Sequence, residues 1–166
     1  MDFEITDAGP DDAEELLAVK DQGWREAYVH LFSPDFLARL GGNPERTERW
    51  RQLLAGDGGE HFAVGRSAGR MVGMAGAGPA RADSGGDAPA PQELYTIYIL
   101  AEAYGSGLSK ALAERVLGDG PAFLWVLEEN ARAIAFYTKL GFEPDGAREF
   151  FVADDQRVPE IRMVRG

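Results

Sequence analysis

The feature that most constrains the fold is an apolar segment in the middle of the chain that leads into a glycine-containing turn. Residues 94 to 100 read Leu-Tyr-Thr-Ile-Tyr-Ile-Leu and are β-branched, aromatic or aliphatic at every position. This composition is typical of a strand that is buried on both faces. Two glycines follow within residues 105 to 107, and apolar side chains then recur at helical spacing from residue 108 to residue 116. The sequence therefore predicts a central strand, a tight turn and a helix, in that order.

Strands and helices are also predicted on both sides of this unit. An alternating segment at residues 3 to 6 indicates a short strand, and the rest of the first third of the chain has the capping residues and apolar spacing of helices. Residues 61 to 75 are predicted to form a hairpin of two strands, and residues 122 to 127 a second buried strand. A helix from residue 130 to residue 140 and a final hairpin complete the prediction of a mixed α/β chain.

The length and one unusual segment bear on the domain organisation. A chain of 166 residues falls within the usual size of one domain. Residues 79 to 92 contain three prolines and two glycines among small and acidic residues, so they cannot bury much apolar surface. Because strands are predicted on both sides of this segment, we interpret it as a mobile loop within a single domain that spans residues 1 to 166.

The charge and the lack of cysteine exclude several classes of function. Seventeen Lys and Arg residues against twenty-eight Asp and Glu residues give a net charge of -11, which repels nucleic-acid phosphates and anionic lipid. We therefore predict no nucleic-acid or membrane partner, and the acidity either maintains solubility or steers a cationic substrate. The sequence has no cysteine, which excludes disulfides, thiolate metal sites and a cysteinyl acyl-enzyme. No segment approaches the ~20 apolar residues of a membrane span, so we expect a cytoplasmic protein with no metal.

The turn between the central strand and the following helix is a candidate site for a phosphate or pyrophosphate. The first N–H groups of a helix have no partner within it and lie at the positive end of the helix dipole. Glycine at positions 105 and 107 lets an anion approach the backbone. A Gly-x-Gly turn also occurs in many strand-to-helix connections that bind nothing, so the interpretation depends on the surrounding residues.

Those surrounding residues carry two motifs at a characteristic distance from one another. Residues 100 to 109 read Leu-Ala-Glu-Ala-Tyr-Gly-Ser-Gly-Leu-Ser, and the buried strand at residues 124 to 127 reads Leu-Trp-Val-Leu. Residues 130 to 142 then read Asn-Ala-Arg-Ala-Ile-Ala-Phe-Tyr-Thr-Lys-Leu-Gly-Phe. Together these segments resemble the cofactor-binding half of the GNAT superfamily of N-acetyltransferases, and weaker similarities extend over nearly the whole chain.

The resemblance implies a fold and an activity. The fold is a mixed α+β arrangement with a central, mixed, mostly antiparallel twisted sheet of about seven strands flanked by helices, in which a splayed central parallel pair forms the cofactor slot. The activity is acetyl-CoA-dependent transfer of an acetyl group to a primary amine of a small molecule or peptide, directly and through a ternary complex. Homodimers are common in the superfamily, and nothing in this sequence determines the oligomeric state.

The resemblance also implies which residues bind acetyl-CoA. The pantetheine arm would pair with the end of the central strand, the pyrophosphate would lie on the turn, and the second motif would contact the same arm. For the Lys110 and Arg132 side chains, a solvated surface position is equally compatible with the sequence. The cofactor-binding residues implied are Tyr98, Ile99, Leu100, Gly105, Ser106, Gly107, Leu108, Ser109, Lys110, Asn130, Arg132 and Tyr137.

Two positions depart from the superfamily pattern. Tyr104 replaces an Arg or Gln that contacts the pyrophosphate, and Ser109 replaces a small Gly or Ala. One side-chain contact is therefore missing and the turn is more crowded. These departures leave a non-catalytic acyl-CoA-binding or sensing domain as the alternative function.

The reaction requires a base and an acid. An alkylammonium with a pKa near ~10.4 must lose a proton before it can attack a thioester. Glu93 is the candidate base, because many superfamily members carry a carboxylate there; the alternative is a solvated acid at the end of a strand. Glu102 is a weaker candidate. By resemblance Tyr137 is the acid that protonates the departing thiolate, and the alternative is that its ring only packs in the core.

The remaining candidates concern the acceptor and a competing motif. Trp24 and Tyr28 could surround an ammonium through cation–π contact, as could Phe32 and Trp50, although core packing explains the aromatic residues equally well. The segment from residue 65 to residue 69 matches Gly-x-Ser-x-Gly, as in serine hydrolases. That motif requires a helix after the serine, and a strand is predicted here, so we interpret the segment as a hairpin turn.

Overall fold

The computed structural model describes residues 1–56, 58–81 and 87–166. The described chain divides into two compact units. Unit 1 comprises Met1–Gly76 and Thr96–Val116, and unit 2 comprises Ala77–Tyr95 and Leu117–Gly166. Part of the predicted mobile loop, residues 82 to 86, lies outside the described residues. The assignment of the whole chain to a single domain stays a prediction.

Seven strands and five α-helices follow one another along the described residues. The strands are β1 (Glu4–Asp7), β2 (His61–Ser67), β3 (Arg70–Pro79), β4 (Gln92–Ile99), β5 (Ala122–Leu127), β6 (Glu143–Ala153) and β7 (Gln156–Arg165). The helices are α1 (Ala13–Tyr28), α2 (Pro34–Ala38), α3 (Pro44–Ala55), α4 (Leu108–Leu117) and α5 (Ala131–Lys139).

The strands form one mixed sheet in the order β1-β2-β3-β4-β5-β7-β6. β1 runs antiparallel to β2, and β7 runs antiparallel to both β5 and β6, whereas β4 and β5 are parallel. The predicted fold class, a mostly antiparallel sheet of about seven strands flanked by helices and containing a central parallel pair, is therefore confirmed. The splaying of that pair into a cofactor slot stays a prediction.

Side-chain caps determine where two helices of unit 1 begin. Ser33 Oγ accepts the N–H of Phe36 at 3.2 Å at the start of α2. Asn43 Oδ1 accepts the N–H groups of Glu45 and Arg46 at 3.0 and 3.3 Å at the start of α3. Each cap satisfies N–H groups that have no partner within the helix. Both caps agree with the prediction of capped helices in the first third of the chain, because a cap involves only residues close together in the chain.

A tight turn joins β2 to β3 in unit 1. Ala68 and Gly69 both have positive φ, 50° and 79°, as in the two-residue turns that match the twist of a hairpin. Ser67 is the last residue of β2, and its hydroxyl donates to the carbonyl of Asp2 at 2.8 Å. A strand follows this serine, so the interpretation of the Gly-x-Ser-x-Gly segment as a hairpin turn is confirmed.

A buried ion pair connects α1 to α3 in unit 1. Asp21 is 4% exposed, and each of its carboxylate oxygens accepts a hydrogen bond from the Arg46 guanidinium at 2.8 Å. One turn further along α1, Arg25 Nε donates to the carbonyl of Leu37 at 3.1 Å. Bidentate pairing of this kind compensates the desolvation of a buried carboxylate. These bonds hold α1 in a defined orientation relative to the segment that follows it.

In unit 2 the strand register determines which side chains share a face of the sheet. Glu93 of β4 lies opposite Phe123 of β5, and Leu127 of β5 lies opposite Glu160 of β7. Glu160 in turn lies opposite Glu149 of β6. Residues that pair across strands project to the same side, and side chains alternate along each strand. Three carboxylates from three strands therefore project from one face of this part of the sheet.

Candidate active site

The turn before α4 in unit 1 has the backbone conformation that makes glycine necessary. Gly105 and Gly107 have φ of 75° and 88°, a region that other residues rarely adopt. A Cβ added at either position would meet nothing within 4 Å, so the backbone is open there. Ser106 Oγ donates to the carbonyl of Ala103 at 2.7 Å and accepts the N–H of Leu108 at 3.3 Å. These two bonds hold the turn in place.

The start of α4 presents N–H donors of the kind that bind anions. α4 has ten residues, and the N–H groups of its first turn, including those of Ser109 and Lys110, have no acceptor within an α-helix. The helix dipole adds positive potential at this end. The turn and these donors therefore fit a phosphate group. The Lys110 side chain is 66% exposed, with Nζ 3.7 Å from the Glu114 carboxylate, which favours a solvated surface position for it.

The predicted site residues fall in both units. In unit 1 the Leu100 N–H donates to the carbonyl of Val72 at 2.9 Å, and Tyr98 packs closely against α1. The predicted residues in unit 1 are Trp24, Tyr28, Tyr98, Ile99, Leu100, Gly105, Ser106, Gly107, Leu108, Ser109 and Lys110. Those in unit 2 are Glu93, Asn130, Arg132 and Tyr137.

Tyr137 lies on the buried face of α5 in unit 2. Its residue is 9% exposed, and its ring centroid is 5.3 Å from that of Phe136 and 6.2 Å from that of Phe142. The ring thus takes part in core packing, and the role of its hydroxyl stays a prediction. Asn130 Oδ1 accepts the N–H of Ala133 at 3.1 Å and caps this helix. This cap fixes where α5 begins, and α5 carries Tyr137.

Glu93 is fully buried and is bound by one arginine. The residue is 0% exposed, so it is not the solvated strand-end acid that the sequence left as an alternative. Arg81 donates to Glu93 Oε1 from Nη2 at 2.6 Å and from Nε at 3.2 Å, and its backbone N–H donates to Oε2 at 3.0 Å. The Arg81 guanidinium also lies 5.0 Å from the centroid of the Tyr95 ring. Both oxygens of this candidate base therefore already accept hydrogen bonds.

Glu160 is a titratable residue of unit 2 that the sequence analysis did not identify. Burial of its carboxyl group and the charge of the facing Glu149 raise the pKa of Glu160 to about 7, while the nearby Arg81 acts in the opposite direction. A carboxyl group that titrates near neutral pH can accept or donate a proton under working conditions. The alternating pattern of the final hairpin indicated two strands, but only their register shows that the two glutamates face each other.

The aromatic residues of α1 pack with one another in unit 1. The Trp24 ring centroid lies 4.7 Å from that of Tyr28 and 5.3 Å from that of Phe32. Trp50 packs on Phe62 instead, at 5.3 Å. Trp24 and Tyr28 thus form a cluster with Phe32, as core packing would require. Their contact with an acceptor stays a prediction.

Three further observations concern metal binding, the weaker candidate base and membrane spans. Within residues 1–56, 58–81 and 87–166, no group of three or more His, Cys, Asp or Glu side chains is arranged to hold a metal ion. The weaker candidate base, Glu102, accepts from the Arg70 guanidinium at the surface of unit 1. None of the described helices is both long and apolar enough to cross a bilayer.

Related sequences resemble this chain over most of its length. The family model described as "Acetyltransferase (GNAT) family" matches residues 25–142. The uncharacterized N-acetyltransferase YuaI of Bacillus subtilis is 31% identical over 166 residues, which cover 96% of this chain and 87% of that protein. Both matches include the glycine turn before α4.

Solved structures share the fold at lower sequence identity. The PaiA N-acetyltransferase from Thermoplasma acidophilum, in complex with coenzyme A, has a TM-score of 0.68 at 18% identity and covers 99% of each chain. The ribosomal-protein-S18-alanine N-acetyltransferase from Escherichia coli has a TM-score of 0.67 at 19% identity, over 99% of this chain and 93% of that chain. With this strand order and the family match, the chain belongs to the acetyltransferase (GNAT) family of acetyl-CoA-dependent enzymes that acetylate amines, and it is an N-acetyltransferase.

Proposed function

We propose that this enzyme moves the acetyl group of acetyl-CoA directly to a primary amine of a small molecule or peptide through a ternary complex. The observation that carries the proposal is the turn before α4, where Gly105 and Gly107 hold positive φ with open space beside them. Backbone N–H groups at a helix start bind phosphates whatever the side chains are. The replacement of the family's Arg or Gln by Tyr104 therefore leaves most of the anion site in place.

The residues of the chain have two proton-transfer roles in this proposal. When bound, acetyl-CoA supplies an activated carbonyl carbon. The acceptor ammonium must lose a proton before it attacks, and Glu93 is the proposed proton acceptor, provided that Arg81 releases one of its oxygens. The Tyr137 phenol is the proposed donor to the leaving sulfur. Because the sequence has no cysteine, a cysteinyl acyl-enzyme is excluded, which supports direct transfer.

The acceptor pocket is proposed to include the aromatic side chains of α1. Trp24 and Tyr28 offer ring surface against which an ammonium group can lie through cation–π contact. The net charge of -11 would also raise the local concentration of a cationic acceptor. Small polyamines, aminoglycosides, amino acids and peptide N-termini all carry the required primary amine, so each class is a candidate acceptor.

Calorimetry with acetyl-CoA, run beside a thiol-release screen across these amine classes, tests the proposal. We expect binding, and release of free coenzyme A with at least one class. Tyr137→Phe should retain binding and lose turnover by about 10²- to 10⁴-fold, the range for removal of a general acid. Tyr104→Phe removes the hydroxyl of an exposed tyrosine and serves as the matched control, with turnover retained.

Three outcomes separate the proposal from its alternatives. Binding without turnover for every amine class would favour the non-catalytic acyl-CoA-binding or sensing domain. Normal turnover in Tyr137→Phe would remove this residue from the mechanism and leave it a packing role. A lack of detectable acetyl-CoA binding would contradict the proposed function as a whole.

A further inference from the structure

Lys20 is a partly buried lysine to which the proposed reaction gives no role. It lies on α1 in unit 1, and its Nζ is 5.4 Å from the centroid of the Tyr98 ring. Gly23 lies three residues later on the same face of the helix, and a Cβ added there would be 2.9 Å from the Tyr98 Cβ. This face of α1 therefore packs directly on β4. Lys20 contacts β4 at a residue that the proposed function assigns to the cofactor.

The ammonium group of Lys20 has no carboxylate partner in the part of the chain that the structure describes. The adjacent Asp21 is not available, because Arg46 binds both of its oxygens. Burial lowers the pKa of Lys20 below its ordinary value of 10.5, the charge of Arg46 lowers it further, and Asp21 acts in the opposite direction. A desolvated lysine beside another cation is a stronger nucleophile near neutral pH, because more of it is neutral amine.

We propose that Lys20 is a self-acetylation site of this enzyme, an inference that rests on the proposed function for its acetyl donor. The Nζ lone pair attacks the thioester carbonyl carbon, so that a C–N bond forms and the C–S bond breaks. The sulfur leaves with the bonding electron pair and takes up the proton that the amine loses. The products are an amide on Lys20 and the free thiol of coenzyme A, with no further reactant.

The sequence provides internal controls for the test, because Lys110 and Lys139 are its only other lysines. Both side chains are exposed, on α4 and α5 respectively. The full chain is incubated with acetyl-CoA at neutral pH without an acceptor amine. It is then digested with a protease that does not cleave at lysine, and acetylation at each lysine is followed by mass spectrometry.

We expect Lys20 to be acetylated at least about tenfold faster than the other two lysines, because burial leaves more of it as neutral amine and because it contacts the strand that the proposed function assigns to acetyl-CoA. Unfolding the chain in urea should remove this difference. Lys20→Arg, which keeps a cation over the Tyr98 ring, should remove the fast phase and leave the slow labelling of Lys110 and Lys139 unchanged.

Competition identifies the source of the acetyl group. Free coenzyme A occupies the donor site, so an excess of it should suppress acetylation of Lys20 and leave the slow labelling of the exposed lysines unchanged. Equal rates at the three lysines, or acetylation of Lys20 that coenzyme A does not affect, would overturn the inference.

Failure of this inference and failure of the proposed function are distinguishable in the same sample. Acetyl-CoA binding and turnover of an added amine, with no acetyl group on Lys20, would overturn self-acetylation alone. No binding of acetyl-CoA by calorimetry would overturn both, because the donor would then have no site.

Discussion

The glycine turn before α4 differs from the charged face of unit 2, the face of the sheet that carries Glu93, Glu149 and Glu160. The two differ in which residues determine their chemistry. At the turn, the positive φ of Gly105 and Gly107 and the start of α4 depend on residues that are neighbours in the chain. On the charged face, Glu93, Glu149 and Glu160 come from three strands and obtain their surroundings from strand register. Backbone geometry is thus a local property, whereas the ionisation of a carboxyl group is set by residues far away in sequence.

On the charged face, two glutamates have different neighbours: one is paired with an arginine and the other faces a second glutamate. Glu93 is buried with Arg81, which supplies three hydrogen bonds. Glu160 faces a second carboxyl group, that of Glu149, and its pKa is raised to about 7. A like charge disfavours the charged form of a carboxyl group, which contributes to the raised pKa of Glu160. The presence of a glutamate in the sequence therefore does not indicate which of these two surroundings it will have.

The largest effect is expected for Arg81→Met, which removes the guanidinium that donates two hydrogen bonds to the fully buried Glu93 and keeps the backbone N–H that donates the third. Removing one member of a buried ion pair costs about 3–5 kcal/mol, and because the Arg81 side chain is 52% exposed we expect a loss near the lower end, about 3 kcal/mol. Urea unfolding measures it. Arg70→Met breaks the exposed pair with Glu102 and should cost less than about 1 kcal/mol. Similar losses in the two variants would remove the distinction between buried and exposed pairs.

The next effect concerns the pH dependence of stability, tested by Glu160→Gln. Burial and the facing Glu149 raise the pKa of Glu160 from 4.5 to about 7. Between these values the unfolded chain releases the proton and the folded chain keeps it, so the contribution of Glu160 to stability falls as the pH rises through this window. The free energy of unfolding of Glu160→Gln relative to wild type should therefore rise across it by about 2 kcal/mol, less than the about 3.4 kcal/mol that the full shift would give, because solvent screens the partly exposed carboxyl group.

Urea unfolding of both proteins at a series of pH values measures this difference. Glu149→Gln sharpens the comparison, because removal of the like charge should lower the pKa of Glu160 and flatten the dependence. A wild-type-minus-variant difference that stays constant with pH would show that the Glu160 carboxyl group titrates normally in the folded chain.

The smallest effect is expected at the turn, for acetyl-CoA binding by Gly107→Ala. The left-handed conformation costs an alanine roughly 1–2 kcal/mol, and a shift of the turn that relieves this strain would weaken binding about tenfold. Gly118→Ala is the matched control, since Gly118 also has positive φ, 61°, and open space around its Cβ position. Calorimetry should show weaker binding in the first variant alone. Equal affinities of Gly107→Ala and Gly118→Ala for acetyl-CoA would show that the turn does not contribute to cofactor binding.

Much of the fold could be predicted because its signals are short-range. The caps at Ser33 and Asn43, the two-residue turn at Ala68 and Gly69, and the glycine turn before α4 each involve residues within one turn of chain. The parallel strand pair followed from the resemblance to the GNAT family, since strand pairing is a long-range property. Composition and periodicity then agreed with that topology.

The site was predictable only in part, for the same reason. The need for glycine at positions 105 and 107 could be predicted because it depends only on local backbone geometry. The burial of Glu93, its pairing with Arg81 and the raised pKa of Glu160 were not visible in the sequence. The lowered pKa of Lys20 likewise depends first on its burial and then on the charge of Arg46, which lies on another helix.

The sequence by itself determined where the capped helices α2 and α3 begin, which turn contains glycine, and that no cysteine can take part in acetyl transfer. Only the tertiary structure decided which carboxyl groups are paired, which face a like charge, and which lysine is partly buried against an aromatic ring. The physical reason is that the free energy of ionisation depends on burial and on nearby charges. Both are set by strand register and helix packing rather than by the residues adjacent in the chain.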